Sequence, residues 1–409
     1  MSFCKYTTQL EVTCHSVKGG HQACLPVGVP AAISILSNEL AFVGFDILHS
    51  FFAHSGPTKA SLTDIHGTGR LTFKAISLRQ KYENKNLLKR IVFEFKIAFK
   101  LLEIHRSFEP QVSIFANTPL ISAWLFKLFT RKSKFILWHQ DVFSIAIQMR
   151  SKQNSSNSNT LENLQVKLVK ALEIDLVGKA EKIVCISDAF MEIYKVWGVD
   201  LRKVTMIENW APLNQIVYVP RSRQIDTGQS LIYAGTLGLK HNPQILIDLV
   251  RGLNSLGLNP SLTIISEGDG ANFISESIES SDPISLRGFV ELNELNDLLA
   301  ESNIAIMLLE EGASEFSVPS KTYSYLAAGK FIVAFAPLSN AASKAVLDAG
   351  GLVFDPSSTG VEQAVQEIMK LDFESIKTHE LEARNYALDN FQVGKKAELF
   401  SRIIMEISN

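Results

Sequence analysis

Cysteine is scarce in this chain: Cys4, Cys14, Cys24 and Cys185 are the four among 409 residues, and no two form a C-x-x-C pair. That spacing encodes neither a disulfide framework nor a zinc site, and a reducing compartment is expected. Excess charge of one sign is also missing. Forty Lys and Arg stand against 42 Asp and Glu, a formal net charge of −2, which excludes a globally basic nucleic-acid binder. No apolar run reaches the ~18 residues of a spanning helix. The opening segment 1–9 lacks a basic stretch followed by an apolar one, so no secretory leader is expected. The nine histidines show no H-x-x-x-H or similar ligand spacing, and no metal is expected. The expectation is a soluble intracellular chain, at most peripheral to a membrane.

Hydrophobic residues make up 46% and charged residues 20% of the sequence, enough for two domains with a core each. Short apolar runs alternate with amphipathic segments of helical length, the pattern of βα units on a mostly parallel sheet. Leu10–His15, Asp46–Phe52, Val112–Phe115, Phe135–Trp138 and Lys182–Ile186 read as strands of a first series, with a helix over Ala31–Val43. Ser230–Ala234, Ser261–Ser266, Ile304–Leu309 and Phe331–Phe335 read as strands of a second. Polar loops are expected at 56–70 and 151–159. The segment 209–229, with Pro212 and Pro220, reads as a linker. The fold class is α/β: two Rossmann-like, doubly wound domains facing a cleft. The first covers 1–210 and the second 229–387, joined by 211–228. A C-terminal helix within Ala383–Ile407 is expected to cross back onto the first domain from about residue 388.

Several segments carry more than architecture. Tyr233-Ala234-Gly235-Thr236-Leu237-Gly238-Leu239-Lys240 runs from a strand into two glycines and a lysine. Glycine lets a backbone approach a phosphate, a helix start offers N–H groups, and lysine adds charge. An ordinary strand-to-helix turn has the same signature. Ser266-Glu267-Gly268-Asp269-Gly270 repeats the theme, and Leu286-Arg287-Gly288-Phe289-Val290 reads equally as a structural turn or as backbone beside a planar base. In Val318-Pro319-Ser320-Lys321-Thr322, Pro319 fits the first turn of a helix, so Ser320, Lys321 and Thr322 surround its positive end. Gly329 then ends that helix.

Taken in order, these segments resemble the nucleotide-binding domain of GT-B glycosyltransferases, specifically glycosyltransferase family 4. The pieces are Tyr-Ala-Gly-Thr-Leu-Gly at 233–238, Ser-Glu-Gly-Asp-Gly at 266–270, Arg-Gly-Phe-Val at 287–290, Val-Pro-Ser-Lys-Thr-Tyr at 318–323 and Leu-Ala-Ala-Gly-Lys at 326–330. The first half resembles the matching acceptor domain through Asn-Thr-Pro at 117–119, Trp-His-Gln-Asp at 138–141, Ile-Ser-Asp-Ala-Phe at 186–190 and Ile-Glu-Asn-Trp-Ala at 207–211. The resemblance runs from about residue 30 to the C-terminus and is nearest to bacterial enzymes of surface-polysaccharide synthesis. It implies transfer of a sugar from a nucleoside-diphosphate sugar, uridine by family default, to a saccharide or lipid-linked saccharide, with retention of anomeric configuration. The implied location is cytoplasmic, at most peripheral on the inner face of the plasma membrane.

The resemblance also assigns residues. Gly235, Thr236, Lys240, Ser320, Lys321 and Thr322 would meet the donor diphosphate, Thr236 standing where the family often has Arg. Gly268, Arg287, Gly288, Phe289 and Ser324 would meet the nucleoside, Ser324 standing where the family has a ribose-holding Glu. Glu315 is the nearby candidate for the family's first glutamate, nine residues before Ser324 where the family spacing is eight. His139, Gln140 and Asp141 are the catalytic candidates of the first half. Alignment on Asp141 puts Gln140 at the family's histidine, and alignment on the imidazole puts His139 there; a loop histidine satisfied by its own fold remains open. Gly19 and Gly20 match a glycine-rich loop. No Asp-x-Asp, the metal-holding motif of the other large glycosyltransferase fold, occurs. No metal and no cofactor are therefore expected, the nucleotide sugar being a substrate, and helix N-termini and lysine would take the charge of the leaving diphosphate. Two alternatives stand beside this reading: a non-catalytic binding subunit, for which Thr236 and Ser324 speak, and a sugar-nucleotide epimerase of related architecture.

Two basic, aromatic segments complete the inventory. In Leu87–Leu102, a helical period puts Lys89, Phe93, Lys96 and Lys100 on one face. Trp124–Lys132 adds Lys127 and Arg131. Such patches attract anionic membranes; core helices with a solvated edge have the same composition.

Overall fold

The computed structural model describes residues 9–14, 29–53, 69–78, 87–116, 118–130, 133–154, 160–220, 229–238, 241–313 and 317–408. They form two compact units, divided after Glu208 and again after Gln392.

Unit 1 is a seven-stranded parallel sheet: β1 (Gln9–Cys14), β2 (Asp46–Ala53), β3 (Leu71–Ser77), β4 (Val112–Ala116), β5 (Lys134–His139), β6 (Lys182–Cys185) and β7 (Val204–Met206). Its spatial order is β3-β2-β1-β4-β5-β6-β7. The helices are α1 (Val29–Phe42), α2 (Leu87–Phe108), α3 (Leu120–Phe129), α4 (Phe143–Asn154), α5 (Thr160–Lys179) and α6 (Asp188–Val196). Every residue of β4 is buried, as expected of a parallel strand covered on both faces.

Unit 2 repeats the plan with β8 (Ser230–Ala234), α7 (Gln244–Ser255), β9 (Ser261–Ile265), α8 (Asp269–Ser277), β10 (Ile284–Arg287), α9 (Leu292–Glu301), β11 (Ile304–Leu308), α10 (Lys321–Ala327), β12 (Phe331–Phe335), α11 (Ala341–Asp348), β13 (Leu352–Phe354), α12 (Ser358–Ile368) and α13 (Phe373–Asn390). Its sheet order is β10-β9-β8-β11-β12-β13, all parallel. Strands β11 and β12 are buried throughout. Helix α7 buries Leu246, Leu249, Val250 and Leu253 in the core cluster that these strands share. It packs closely on α12: a Cβ on Gly252 would stand 2.9 Å from Val365 Cγ2. Strand order reverses between β1 and β4 in unit 1 and between β8 and β11 in unit 2. Doubly wound sheets bind ligands beyond the carboxyl ends of the strands at such a reversal.

The final helix, α14 (Val393–Ser408), belongs to unit 1. Phe400 packs its ring 5.0 Å from that of Trp138, and Lys396 pairs with Glu208 at 3.3 Å. The C-terminal segment is thus two helices rather than one, because Phe391 leaves helical geometry with φ −119°. Its carbonyl accepts from Ala211 N–H at 3.0 Å. The described part of the expected linker, 209–220, packs within unit 2: Trp210, Ala211 and Ile216 are buried, and Val217 N–H donates to Asn296 Oδ1 at 3.1 Å; residues 221–228 lie outside the described ones. Helix α4 runs to Asn154, into the segment expected to be a polar loop. Four strands escape the sequence reading, β3, β7, β10 and β13, and each is a sheet edge. Edge strands are covered only in part, so they lack the continuous apolar run that marks the central strands.

Candidate functional site

In unit 2 the motif segments meet at the carboxyl ends of β8, β9 and β10. Ser266 N–H donates to Arg287 O at 3.0 Å, Gly235 N–H to Ile265 O at 2.9 Å, and Leu237 N–H to Ser266 Oγ at 3.0 Å. Glu267 ties the third turn in, accepting from Phe289 N–H at 3.2 Å, with its Oε1 3.3 Å from where a Cβ on Gly288 would stand. Gly270 lies against Leu237, and a Cβ there would sit 2.6 Å from Leu237 Cβ. Gly268, at φ +99°, opens α8. Arg287 is exposed and reaches Glu294 at 3.4 Å.

Helix α10 follows β11, on the other side of the strand reversal, and two buried tyrosines lock it to β8. Tyr325 Oη accepts from Ala234 N–H at 2.8 Å and donates to Ala234 O at 3.3 Å. Lys321 donates from Nζ to Tyr233 Oη, its ammonium lying 3.7 Å from the centroid of that ring. Tyr233 Oη in turn donates to Thr236 O at 3.1 Å. Burial pushes both phenols above their ordinary range, so they remain protonated donors. Gly235 makes the approach of Lys321 possible. Its φ is +136°, and a Cβ would stand 3.2 Å from Lys321 Cε and 3.4 Å from Nζ. At the far end Gly329, at φ +62°, ends α10; a Cβ there would stand 2.5 Å from the Tyr218 ring.

This geometry revises how the glycine turn is used. The N–H groups of Gly235 and Leu237 are bound within the sheet ends, and that of Gly238 donates to His241 Nδ1 at 3.1 Å. The next helix among the described residues, α7, begins at Gln244. The glycine that matters serves the approach of a lysine rather than an array of free amides. Thr322 is fully buried inside α10, and its Oγ1 has no hydrogen-bond partner among the described residues. Ser324 is buried in the same helix, and Ser320 is half-buried at its start. Tyr233, Tyr325 and Glu310 carry no local sequence signal that would mark them as members of the candidate site. Glu310 follows β11, and burial raises its carboxyl above the usual range.

In unit 1, His139 ends β5 and is 4% exposed. Its Nδ1 lies 2.8 Å from Tyr194 Oη and its Nε2 3.3 Å from Glu173 Oε1. Glu173, 1% exposed on α5, also accepts from Phe143 N–H at 2.7 Å and Ser144 N–H at 2.9 Å, capping the first turn of α4. Burial opposes ionisation of Glu173, yet the bonds from His139 and Ser144 prevail and hold its carboxyl below the ordinary range. Both imidazole nitrogens are therefore engaged inside the unit, and His139 positions the β5–α4 turn. Gln140, also 4% exposed, is different: neither Oε1 nor Nε2 has a hydrogen-bond partner among the described residues. With Asp141, Thr118 and Phe143 it lines a small cavity with room for about one water molecule. A buried, unpaired carboxamide costs free energy unless a ligand or water completes it.

Among the surface cations, Lys89, Lys96 and Lys100 are exposed on α2, but Phe93, expected on their face, is buried. Lys127 is not a surface cation. It is buried, with Nζ 3.1 Å from Glu181 Oε1 and 3.0 Å from Ser133 O, because an ammonium taken out of water needs such partners. Gly19, Gly20, Arg131, Lys240 and Glu315 lie outside the described residues.

No family model matches the sequence, and no curated protein matches it. Solved structures do. Sucrose-phosphate synthase from Thermosynechococcus elongatus superposes with a TM-score of 0.70 at 12% identity, over 98% of this chain and 99% of that one. Anabaena HepE, solved in complex with UDP-glucose, gives 0.66 at 12% identity over 97% and 99%. A putative UDP-N-acetylglucosamine 2-epimerase from Listeria monocytogenes gives 0.58 at 9% identity over 98% and 96%. At these identities the likeness concerns the fold, which is the two-domain Rossmann-like α/β architecture called GT-B.

Proposed function

We propose that the chain is a glycosyltransferase that takes a nucleoside-diphosphate sugar in unit 2 and passes the sugar to a saccharide or lipid-linked saccharide held by unit 1. The observation that carries this reading is the convergence at the β8/β11 reversal. Gly235, Lys321 and the turns at 266–270 and 287–289 meet at the carboxyl ends of the strands, where doubly wound folds bind nucleotides. The Lys321 ammonium, held by Tyr233, supplies positive charge there for a diphosphate. Gly268, Arg287, Gly288 and Phe289 take the nucleoside, uridine being the first choice; the fold is shared with a protein solved with UDP-glucose. In unit 1 the Gln140 carboxamide is the group to meet a sugar hydroxyl, with Asp141 beside it and His139 as their support. The nucleotide sugar is the substrate, and no separate cofactor is part of the proposal. Family 4 membership, retention of configuration and a role in surface-polysaccharide assembly at the inner face of the plasma membrane belong to the same proposal.

Calorimetric titration with UDP, GDP and ADP, with and without Mg²⁺, tests the donor site. One diphosphate is expected to bind selectively, and Lys321→Ala is expected to weaken it by about tenfold, some 1.4 kcal/mol. Binding of none of the three, or unchanged affinity in the variant, overturns the assignment. Ser324, where related enzymes have a carboxylate, favours one second reading, a binding subunit without chemistry. Nucleotide binding with no hydrolysis or transfer from any nucleotide sugar would decide for it.

A further inference from the structure

Helix α2 turns Phe93, Ile97, Leu101 and Ile104 into the core of unit 1. Its outer face is not the polar one that such a helix ordinarily presents. Leu88, Val92, Phe95 and Phe99 are exposed by 76, 49, 42 and 63%. Their spacing of i, i+4, i+7 and i+11 makes a single stripe about 16 Å long at 1.5 Å per residue. Phe129, 62% exposed at the end of α3, shares a groove with Phe99 and Arg106. Exposed Lys89, Lys96 and Lys100 run along one flank of the stripe. Glu103 is the exposed carboxylate of the helix and pairs with Lys100 at 2.7 Å; Glu94 is buried against Arg90.

We propose that this face of α2, with Phe129, is a docking surface for an anionic lipid bilayer. A stripe of large apolar side chains bordered by lysines is the pattern of a helix lying in a membrane interface: the rings enter the acyl boundary and the ammonium groups meet headgroup phosphates. Charge selects this occupant over a second copy of the chain, which would bring like-charged lysine rows together. The inference deepens the membrane side of the proposed function. It is measured without nucleotide, so its failure and the failure of the donor site are separate results.

The test is cosedimentation of the full chain with vesicles of equal parts phosphatidylglycerol and phosphatidylcholine, and with phosphatidylcholine alone, at low and high salt. The protein is expected to pellet with the anionic vesicles and to stay in solution with the neutral ones. Phe95→Ser with Phe99→Ser is expected to lower the affinity about tenfold at both salts, by removing apolar contact. Lys89→Glu with Lys96→Glu is expected to lower it chiefly at low salt. Thermal midpoints report folding, and Leu88→Ser with Val92→Ser serves if the first variant fails to fold. No pelleting at low salt, or pelleting of the Phe variant equal to wild type, overturns the proposal. So does self-association in sedimentation velocity that the Phe substitutions abolish while vesicle binding stays absent.

Discussion

Gly235→Ala separates the two jobs that the structure gives to one glycine. The backbone there has φ +136°, and the new methyl would stand 3.2 Å from Lys321 Cε. The first cost is conformational: an L side chain in that region costs about 1–3 kcal/mol. At roughly 2–4 °C per kcal/mol for a unit of this size, the melting midpoint should fall by about 2–12 °C. The second cost is positional, since the methyl must displace a side chain fixed by Tyr233. A shift of a few tenths of an ångström would weaken the proposed grip on a diphosphate, and about a tenfold loss of affinity is expected. Gly238→Ala is the control, because a Cβ there meets nothing within 4 Å and the backbone is not left-handed. Scanning calorimetry reads the first cost and nucleotide titration the second. Equal melting and equal affinity in the two variants would refute the account. A lower midpoint with unchanged affinity would show that Lys321 does not touch the nucleotide.

Two further predictions concern unit 1. Glu173→Ala removes the acceptor of two α4 N–H groups and the partner of His139 at a buried site, and should cost about 3 kcal/mol in urea unfolding; a loss below about 1 kcal/mol would contradict the cap. The native Glu173 carboxyl titrates below the ordinary range, so its contribution is present above that range and is lost as pH falls through the native value. His49 is buried with Ser37 Oγ 3.0 Å from Nδ1, and burial lowers its pKa from 6.5 to about 4. The unfolded chain then binds a proton that the native chain refuses, so stability should drop as pH falls from 6.5 toward 4. At 1.36 kcal/mol per pH unit the loss is about 3 kcal/mol. His49→Gln should flatten that slope, and an unchanged slope would place the titration elsewhere.

The central strands and their order of appearance are legible along the chain. Val112–Ala116, Ile304–Leu308 and Phe331–Phe335 are continuous apolar runs because both faces of each strand are covered, and such runs are visible in one dimension. A glycine turn near a lysine and a Pro-Ser-Lys-Thr run are local signals too, and they mark 233–240 and 319–322 as candidate site segments. The edge strands were not legible: Ile284–Arg287 and Leu352–Phe354 are half-covered and short, and their pairing is a property of the neighbouring strand.

The surroundings of each candidate residue, by contrast, come from the assembled fold. Lys127 and Lys96 have the same side chain, but the fold buries the first against Glu181 and exposes the second. His139 and Gln140 are adjacent in sequence, yet Tyr194 and Glu173 arrive from distant helices to engage the imidazole, while the carboxamide has no partner among the described residues. Lys321 reaches Gly235 because parallel pairing of β8 with β11 places their following loops side by side, with more than 80 residues of chain between them. Local propensity and periodicity act over a few residues and so can be read along the chain. Burial, pairing and partner choice depend on which segments the folded sheet makes neighbours, and that information exists only in three dimensions.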